Sequence, residues 1–320
     1  MFSKIITLSL NPAIDVTLWT QTLKPDEDNI VEDEQYDAAG KAMNVSRALR
    51  YYGVDSTALV LAGRHNLHRY EERLRAEKVN YRLVTVDGYI RENISIVQPD
   101  RSVTRLMRDG FCVEYEAVDE IKAQLSQMVT EGALVVISGK LPRGISPKVL
   151  KMICGHIASL GGRIALDTST LTLEDFYEIK PWIIKPNYAE ACQLAGEELA
   201  SEKALEDFGR EVNAHGIDNC LISLGGEGLI HTCAESVTRV LVPSVDVISA
   251  VGAGDCTLAG FIMSVQQGLS VERCLRVAAA FGTAACLTEG TNPPPKLATA
   301  NIIQQLKLKK LPQLKKLPLD

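Results

Sequence analysis

The sequence predicts an α/β protein built on one mostly parallel sheet, and three observations carry that prediction. Short apolar runs recur along the 320 residues, each the length of a buried strand. Between them lie segments whose apolar residues repeat at helical spacing, and strands alternating with helices favour a parallel sheet covered on both faces. Two stretches, about 12–38 and 88–108, break the rhythm: they hold β-formers in polar alternation, as in "NISIVQPDRSVTRLM". They predict strands outside the main sheet, forming a small β-strand lid.

The elements follow in order. "KIITLSL" at 4–10 reads as the first strand, and after the first lid segment "MNVSRALRYYG" at 43–53 reads as a helix stopped by Gly53. "STALVLAG" at 56–63 is the next buried strand, and "GALVVISG" at 132–139 follows the second lid segment. "SPKVLKMICGHIASLGG" at 146–162 places Ser146 at an N-cap, Pro147 at the first helical position and glycines at the end. "GRIALD", "PWIIKPN" and "NCLISLGG" supply further buried strands. Residues 307–320, "KLKKLPQLKKLPLD", are expected to be a frayed basic tail, because two prolines forbid one continuous helix. Ligands of such sheets bind at the carboxyl ends of the strands. Ser138-Gly139-Lys140, Asp167, Lys185-Pro186-Asn187 and Ser223-Leu224-Gly225 sit at those ends.

Composition excludes several classes. A net charge of −6 offers no global basic field for nucleic acid, so an anionic small molecule would have to be met by local cations. No run approaches the ~20 apolar residues of a membrane span, and the start carries no signal-peptide pattern. The eight cysteines are scattered without a C-x-x-C pair, which predicts reduced thiols in a cytoplasmic protein. His65 and His68 have no third ligand nearby in sequence, so no metal role is assigned to them.

One segment raises a sharper question. "SAVGAGDCTLAGF" at 249–261 sets Gly-Ala-Gly-Asp before an apolar helical pattern. The glycines permit a tight turn, and a helix start suits an anion. A carboxylate placed there is either a helix cap or a working group, and this segment alone leaves both readings open. No G-x-x-x-x-G-K-[ST] is present, no G-x-G-x-x-G follows a strand, and "SLGGEG" at 223–228 spaces its glycines differently from a dinucleotide site.

The motifs taken together resemble the ribokinase-type sugar kinases, the phosphofructokinase B family. "LNPAID", "AAGKAMNVSRAL", "ISGKLPRG", "ALDTST", "IKPNYAE", "SLGGEG" and "VGAGDCTLAGF" stand in the family's order over nearly the whole chain. The first two look like the branch acting on phosphorylated hexoses. The resemblance implies a three-layer α/β/α sandwich with a lid, and a kinase using ATP and Mg²⁺, with room for a monovalent cation. It also implies a homodimer paired through the lid.

It further implies roles for residues. Asp255 would be the general base, with the amides of Gly252, Ala253 and Gly254 as the anion hole; phosphoryl transfer is mainly positioning and charge stabilisation. Asp15, Gly40, Lys41 and Asn44 would hold the sugar. Arg91, more loosely Arg105, and Lys140 would meet its existing phosphate, for which a guanidinium fork is well shaped. Lys185, Asn187, Ser223, Gly225 and Gly228 would line the ATP site, and Glu190 would act near Mg²⁺, which keeps several waters. The small residues of "AFGTAACL" at 280–287 either admit adenine or pack helices closely.

Three positions depart from the pattern: Lys140 replaces the usual serine of S-G-S, Ala42 the second glycine of G-K-G, and Thr170 the glycine after D-T-S. The expected reaction is ATP-dependent phosphorylation of a ketohexose phosphate, fructose 1-phosphate first. Tagatose 6-phosphate and fructose 6-phosphate are the alternatives within the class, and a catalytically silent sugar-phosphate sensor is the alternative outside it.

Overall fold

The computed structural model describes residues 1–100 and 102–311. The chain enters on β1 (Ile5–Ser9) and leaves the main sheet for β2 (Ala13–Trp19) and β3 (Asp33–Ala39). Helix α1 (Lys41–Tyr51) returns it to β4 (Thr57–Gly63), and α2 (Leu67–Ala76) leads to β5 (Asn80–Val86). A second excursion, β6 (Arg91–Val97) and β7 (Val103–Met107), is followed by α3 (Tyr115–Met128), β8 (Leu134–Ser138), α4 (Pro147–Ser159) and β9 (Arg163–Asp167). Then come α5 (Leu173–Ile179), β10 (Ile183–Ile184), α6 (Tyr188–Ala195), α7 (Glu202–Ala214) and β11 (Asn219–Ser223). The hairpin β12 (Leu229–Cys233) and β13 (Ser236–Leu241) precedes α8 (Ala253–Gln266), α9 (Val271–Ala285), α10 (Lys296–Gln305) and β14 (Lys307–Leu311).

Among the described residues the large sheet runs β14-β13-β12-β11-β10-β9-β8-β1-β4-β5. It is parallel from β11 to β5 and antiparallel from β11 to β14. Each apolar run named from the sequence forms a strand of the parallel part. Side chains alternate across that part. On β8, Leu134 and Val136 join the layer packed by α1, α8 and α9, while Val135 and Ile137 join the layer of α3 and α4. The long alternation 12–38 and 88–108 becomes the separate four-stranded sheet β3-β2-β6-β7. One face carries Ile14, Val16 and Ala38, buried against Tyr70 and Leu74 of α2.

Local chemistry explains the helix starts. The Ser146 hydroxyl accepts from the Val149 N–H, with Pro147 at the first helical position as expected. Thr172 and Asp175 form a reciprocal capping box at α5. The tail expectation fails at 307–311: these residues pair antiparallel with β13, from Lys307 opposite Leu241 to Leu311 opposite Val237. Leu306 is buried and Leu308 packs on the adjacent core, so alternation of leucine with lysine specifies an edge strand. The rest of the expected tail, 312–320, lies outside the described residues.

The strand order reverses between β1 and β8. From β1 the chain moves outward to β4 and β5, then returns to β8 on the other side. Ligands of such sheets bind in the crevice outside the carboxyl ends of the strands at such a switch point, and the chain leaves the large sheet for the small one from the carboxyl ends of β1 and β5.

One buried group makes acid stability testable. His231 on β12 is fully buried, with Nε2 hydrogen-bonded to Asn219 Oδ1 at 3.0 Å and Nδ1 without a partner. Burial pushes its pKa down from 6.5 to about 4. Between those values the unfolded chain binds the extra proton, so stability is lost as pH falls through that window. We expect a loss of about 3 kcal/mol, measured by denaturant unfolding at pH 7 and pH 4. His231→Gln should remove that part of the slope; an unchanged slope in the variant would place the acid sensitivity elsewhere.

Candidate active site

Helix α8 begins at the crevice. Gly252 is its N-cap at φ 80°, a left-handed conformation that glycine adopts without strain, and Asp255 is its third residue. No side chain caps this helix, so Asp255 is not a cap. Cys256 is the first residue whose N–H closes back, onto the Gly252 carbonyl at 2.9 Å. The N–H groups of Gly252, Ala253 and Gly254 therefore lie ahead of the ladder. That of Ala253 leans on the Ala250 carbonyl at 3.4 Å.

Asp255 is only 4% exposed, and its carboxylate accepts from Asn44 Nδ2 at 2.7 Å. Burial first, and the nearby Asp167 carboxylate second, raise its pKa to about 7; the Asn44 bond and the ammonium groups of Lys41 and Lys185 hold it from rising further. A carboxyl poised near neutrality can accept a proton from a hydroxyl and release it afterwards.

Asp167, at the end of β9, ties the cations together. Lys185 Nζ lies 3.4 Å from its Oδ2 and Lys41 Nζ 3.6 Å from its Oδ1. Ser138 Oγ donates to Oδ2 at 3.2 Å, and the Gly139 N–H donates to its main-chain carbonyl at 2.9 Å. Burial works against charge on Lys41, but the Asp167, Asp255 and Glu190 carboxylates outweigh it and hold its pKa above the usual value. Lys41 and Asn44 are placed together because α1 starts at Gly40, the residue after β3, and three residues bring the helix round to nearly the same face.

The lid supplies the other wall. Register sets Asp15 opposite Asn93, and Asn93 Nδ2 donates to Asp15 Oδ1 at 2.7 Å. Burial raises the pKa of Asp15 against that bond and against the nearby Arg91. Arg91 is partly buried: Nη2 reaches the Asn11 carbonyl at 3.4 Å, Nε has no partner, and burial lowers its pKa. Among the described residues, four of the nine buried side-chain polar atoms without a hydrogen-bond partner belong to this crevice, namely Asn44 Oδ1, Arg91 Nε, Asn93 Oδ1 and Asp167 Oδ1. Such atoms are costly unless something else satisfies them.

The remaining sequence candidates divide. Lys185 joins the central group. Asn187 and Glu190 form a reciprocal capping box on α6, each side chain bonded to the other's N–H at 2.9 Å, so N-x-x-E starts a helix here. Glu190 nevertheless lines one cavity with Asp167, Thr168 and Lys185. Ser223 bridges to Asn187 at the end of β11, and Gly225 opens the one-turn 3₁₀ segment that follows. Gly228 lies against the Val240 carbonyl, where a side chain would collide, so packing alone requires glycine there. Lys140 is exposed, and only its carbonyl is engaged, by Asn11 Nδ2 at 3.2 Å. Arg105 is exposed on β7 opposite Ser95, on the lid face that carries Asn93. The small residues at 280–285 pack against α8, with Gly260 close to Phe281 and Gly282 close to Thr257, which favours helix packing over adenine entry.

Two contributors had no role assigned from the sequence. Asp167 stood in view at the end of "GRIALD" without an assigned role. Asn93 could have been found from strand period alone, two residues beyond Arg91 and hence on the same face.

A buried carboxyl raised toward neutrality at a helix start, beside an aspartate flanked by two lysines, on a parallel sheet, is the arrangement expected of a phosphotransferase of the α/β class. The pfkB family carbohydrate kinase profile matches residues 7–297, and the chain belongs to that family. It is 30% identical to the 1-phosphofructokinase of Escherichia coli K12 over 93% of this chain and 96% of that protein. It is 28% identical to the Vibrio cholerae 1-phosphofructokinase, over 97% and 98%. It is 30% identical to the D-tagatose-1-phosphate kinase of Bacillus licheniformis, over 94% and 98%. The crystal structure of E. coli phosphofructokinase-2 with fructose-6-phosphate superposes with a TM-score of 0.87 at 25% identity, covering 95% of this chain and 99% of that one. The protein is an ATP-dependent sugar-phosphate kinase.

A Cβ placed on Gly254 would stand 3.1 Å from Lys185 Nζ. Gly254→Ala should therefore displace the ammonium while leaving the fold intact, lowering kcat about tenfold with little change in unfolding midpoint. Unaltered kcat would mean that Lys185 does not act beside the anion hole.

Proposed function

We propose that the protein transfers the γ-phosphoryl group of ATP to a free hydroxyl of a ketohexose 1-phosphate, fructose 1-phosphate first, giving fructose 1,6-bisphosphate. The observation that carries this reading is the set of unpartnered polar atoms at one crevice, opposite a base already bonded to Asn44. The hydroxyl oxygen forms its bond to phosphorus as the bond to the ADP oxygen breaks, and Asp255 takes the proton. The amides from Gly252 to Gly254, together with Lys41 and Lys185, hold the charge on the moving group. Asp15, Asn93 and Asn44 hold sugar hydroxyls, and Arg91 meets the phosphate the sugar already carries.

Ser223, Gly225 and Gly228 border the nucleotide side. Asp167 and Glu190 line one cavity and are the carboxylates that would hold Mg²⁺, which is bound by one or two carboxylates plus substrate phosphates; the nearest cation to Asp167 Oδ1 is the Lys41 ammonium at 3.6 Å. Bound there, the ion would neutralise phosphate charge. A potassium complex of E. coli phosphofructokinase-2 makes a monovalent cation part of the same reading.

The experiment is an ADP-release screen over fructose 1-phosphate, tagatose 1-phosphate, tagatose 6-phosphate, fructose 6-phosphate and fructose. The highest kcat/KM is expected for fructose 1-phosphate. Preference for fructose 6-phosphate would shift the assignment toward the substrate named for the E. coli phosphofructokinase-2 complex, and no turnover on the panel would favour the sensor. The tagatose alternative moves from the 6-phosphate to the 1-phosphate, following the name of the B. licheniformis relative.

The lid also supports a homodimer. β3 and β7 are both open edges of the small sheet, and Val103, Leu106 and Met107 on β7 are exposed. Apolar strand edges favour pairing with another chain. Sedimentation should give a dimer at micromolar concentration; a fully active monomer would rule this out. An inhibited form of E. coli phosphofructokinase-2 is a tetramer, so the sedimentation run also distinguishes a dimer from a larger assembly.

A further inference from the structure

Arg47 lies on α1, three residues beyond Asn44, and its side chain is 2% exposed. Its Nε and Nη2 hold the two carboxylate oxygens of Glu77, the Nη2 bond at 2.8 Å. Nη2 also lies 3.9 Å from Asp37 Oδ1, on the lid strand directly opposite Asp15. Arg73 of α2 completes the set, with Nη2 at 3.1 Å from Asp37 and 3.8 Å from Glu77. Two cations and two anions thus form a neutral cluster, with Arg47 and Asp37 buried and Arg73 and Glu77 partly exposed at its rim. Removing one member would leave an uncompensated charge.

The remaining arm of the guanidinium points elsewhere. Nη1 donates to Thr291 Oγ1 at 3.1 Å and to the Thr291 carbonyl at 3.3 Å. Thr291 is 7% exposed and sits between α9 and α10. A Cβ on Gly252 would stand 3.4 Å from Thr291 Cβ and Cγ2, so Thr291 packs directly behind the first residue of the anion hole.

We propose that Arg47 is a positioning residue that sets the anion hole against the base, by holding Thr291 behind Gly252 while anchoring α1 and the lid strand beside Asp15. This rests on the phosphoryl-transfer reading given above. Arg47 touches no reacting atom. It acts through Thr291 on one side and through the helix of Lys41 and Asn44 on the other. Donors of an anion hole do their work in the transition state, so a small displacement lowers kcat and leaves ground-state binding in place.

The test compares the parent, Arg47→Lys, Thr291→Val and the double variant. Lysine keeps the charge beside Glu77 and Asp37 but loses the fork; valine keeps the shape of Thr291 without its hydroxyl. We expect kcat to fall about tenfold or more in Arg47→Lys and severalfold in Thr291→Val, with both KM values within about twofold. The double variant should be no slower than Arg47→Lys, since the two residues act as one unit. Amide exchange of the 249–261 segment in the free protein should accelerate about tenfold in both single variants. Unchanged kcat and unchanged exchange in folded variants would overturn the proposal, as would fully additive losses or KM values rising as far as kcat falls. If Arg47→Lys does not fold, Thr291→Val decides alone. If the parent turns over none of the panel sugars, the functional reading fails, and amide exchange still decides whether Arg47 orders this segment.

Discussion

Asp255→Asn will lose at least about a hundredfold in kcat while gaining stability at neutral pH. The first effect follows from basicity: the amide keeps the shape and can still accept from Asn44, but it cannot take the hydroxyl proton. The second follows from burial. The folded-state pKa of Asp255 stands at about 7, above the unfolded value of 3.8, so the folded protein holds the extra proton between them. Stability therefore falls as pH rises through that window, and the cost of an ionised buried carboxylate is complete above about pH 7. Asparagine removes the cost, and a gain of about 1–2 kcal/mol at pH 8, shrinking toward pH 4, is expected from urea unfolding. The parent's kcat/KM should fall with acid below about pH 7, because the free enzyme then carries a protonated base. A folded variant that keeps near-normal turnover would remove Asp255 from the chemistry.

Arg91→Ala will raise KM for the sugar phosphate about a hundredfold and change KM for ATP little. The guanidinium is already partly desolvated, its Nε has no partner, and its best contact is a long bond to the Asn11 carbonyl. An anion arriving there gains charge-assisted bonds without first displacing strong ones, which corresponds to about 2–3 kcal/mol. Unphosphorylated fructose, if turned over, should be nearly indifferent to the change. Lys140→Ser is the companion variant: Lys140 is exposed, so its effect should be weaker and confined to preference among sugar phosphates. A larger shift in the ATP KM than in the sugar KM would place Arg91 on the wrong side of the cleft.

The parallel part of the sheet could be read from the sequence because fully buried strands leave unbroken apolar runs, as in "GALVVISG", where both faces of β8 meet a core layer. The lid was readable as alternation, since one face packs on α2 and the other stays polar. The glycines before an apolar helix marked a helix start open to an anion, but the role expected of Asp255 came from the order of the motifs, since the segment alone also allowed a cap. The register that pairs Asp15 with Asn93, and the strand at 307–311, were hidden for one reason. A short polar or mixed segment has no strong preference of its own, and its partner lies far along the chain.

Sequence alone therefore determined the α/β class, the order of the elements, the family and the residue expected to act as base. Each of these rests on local pattern or on the succession of motifs. Only the tertiary structure decided that Asp255 is not a cap, that N-x-x-E is a capping box, and that Asp167 stands between two lysines. It alone brought Arg47 to Glu77 and Thr291. Protonation state, ion pairing and unsatisfied polar atoms depend on burial and on distances of a few ångströms between groups remote in the chain. No local pattern encodes those quantities.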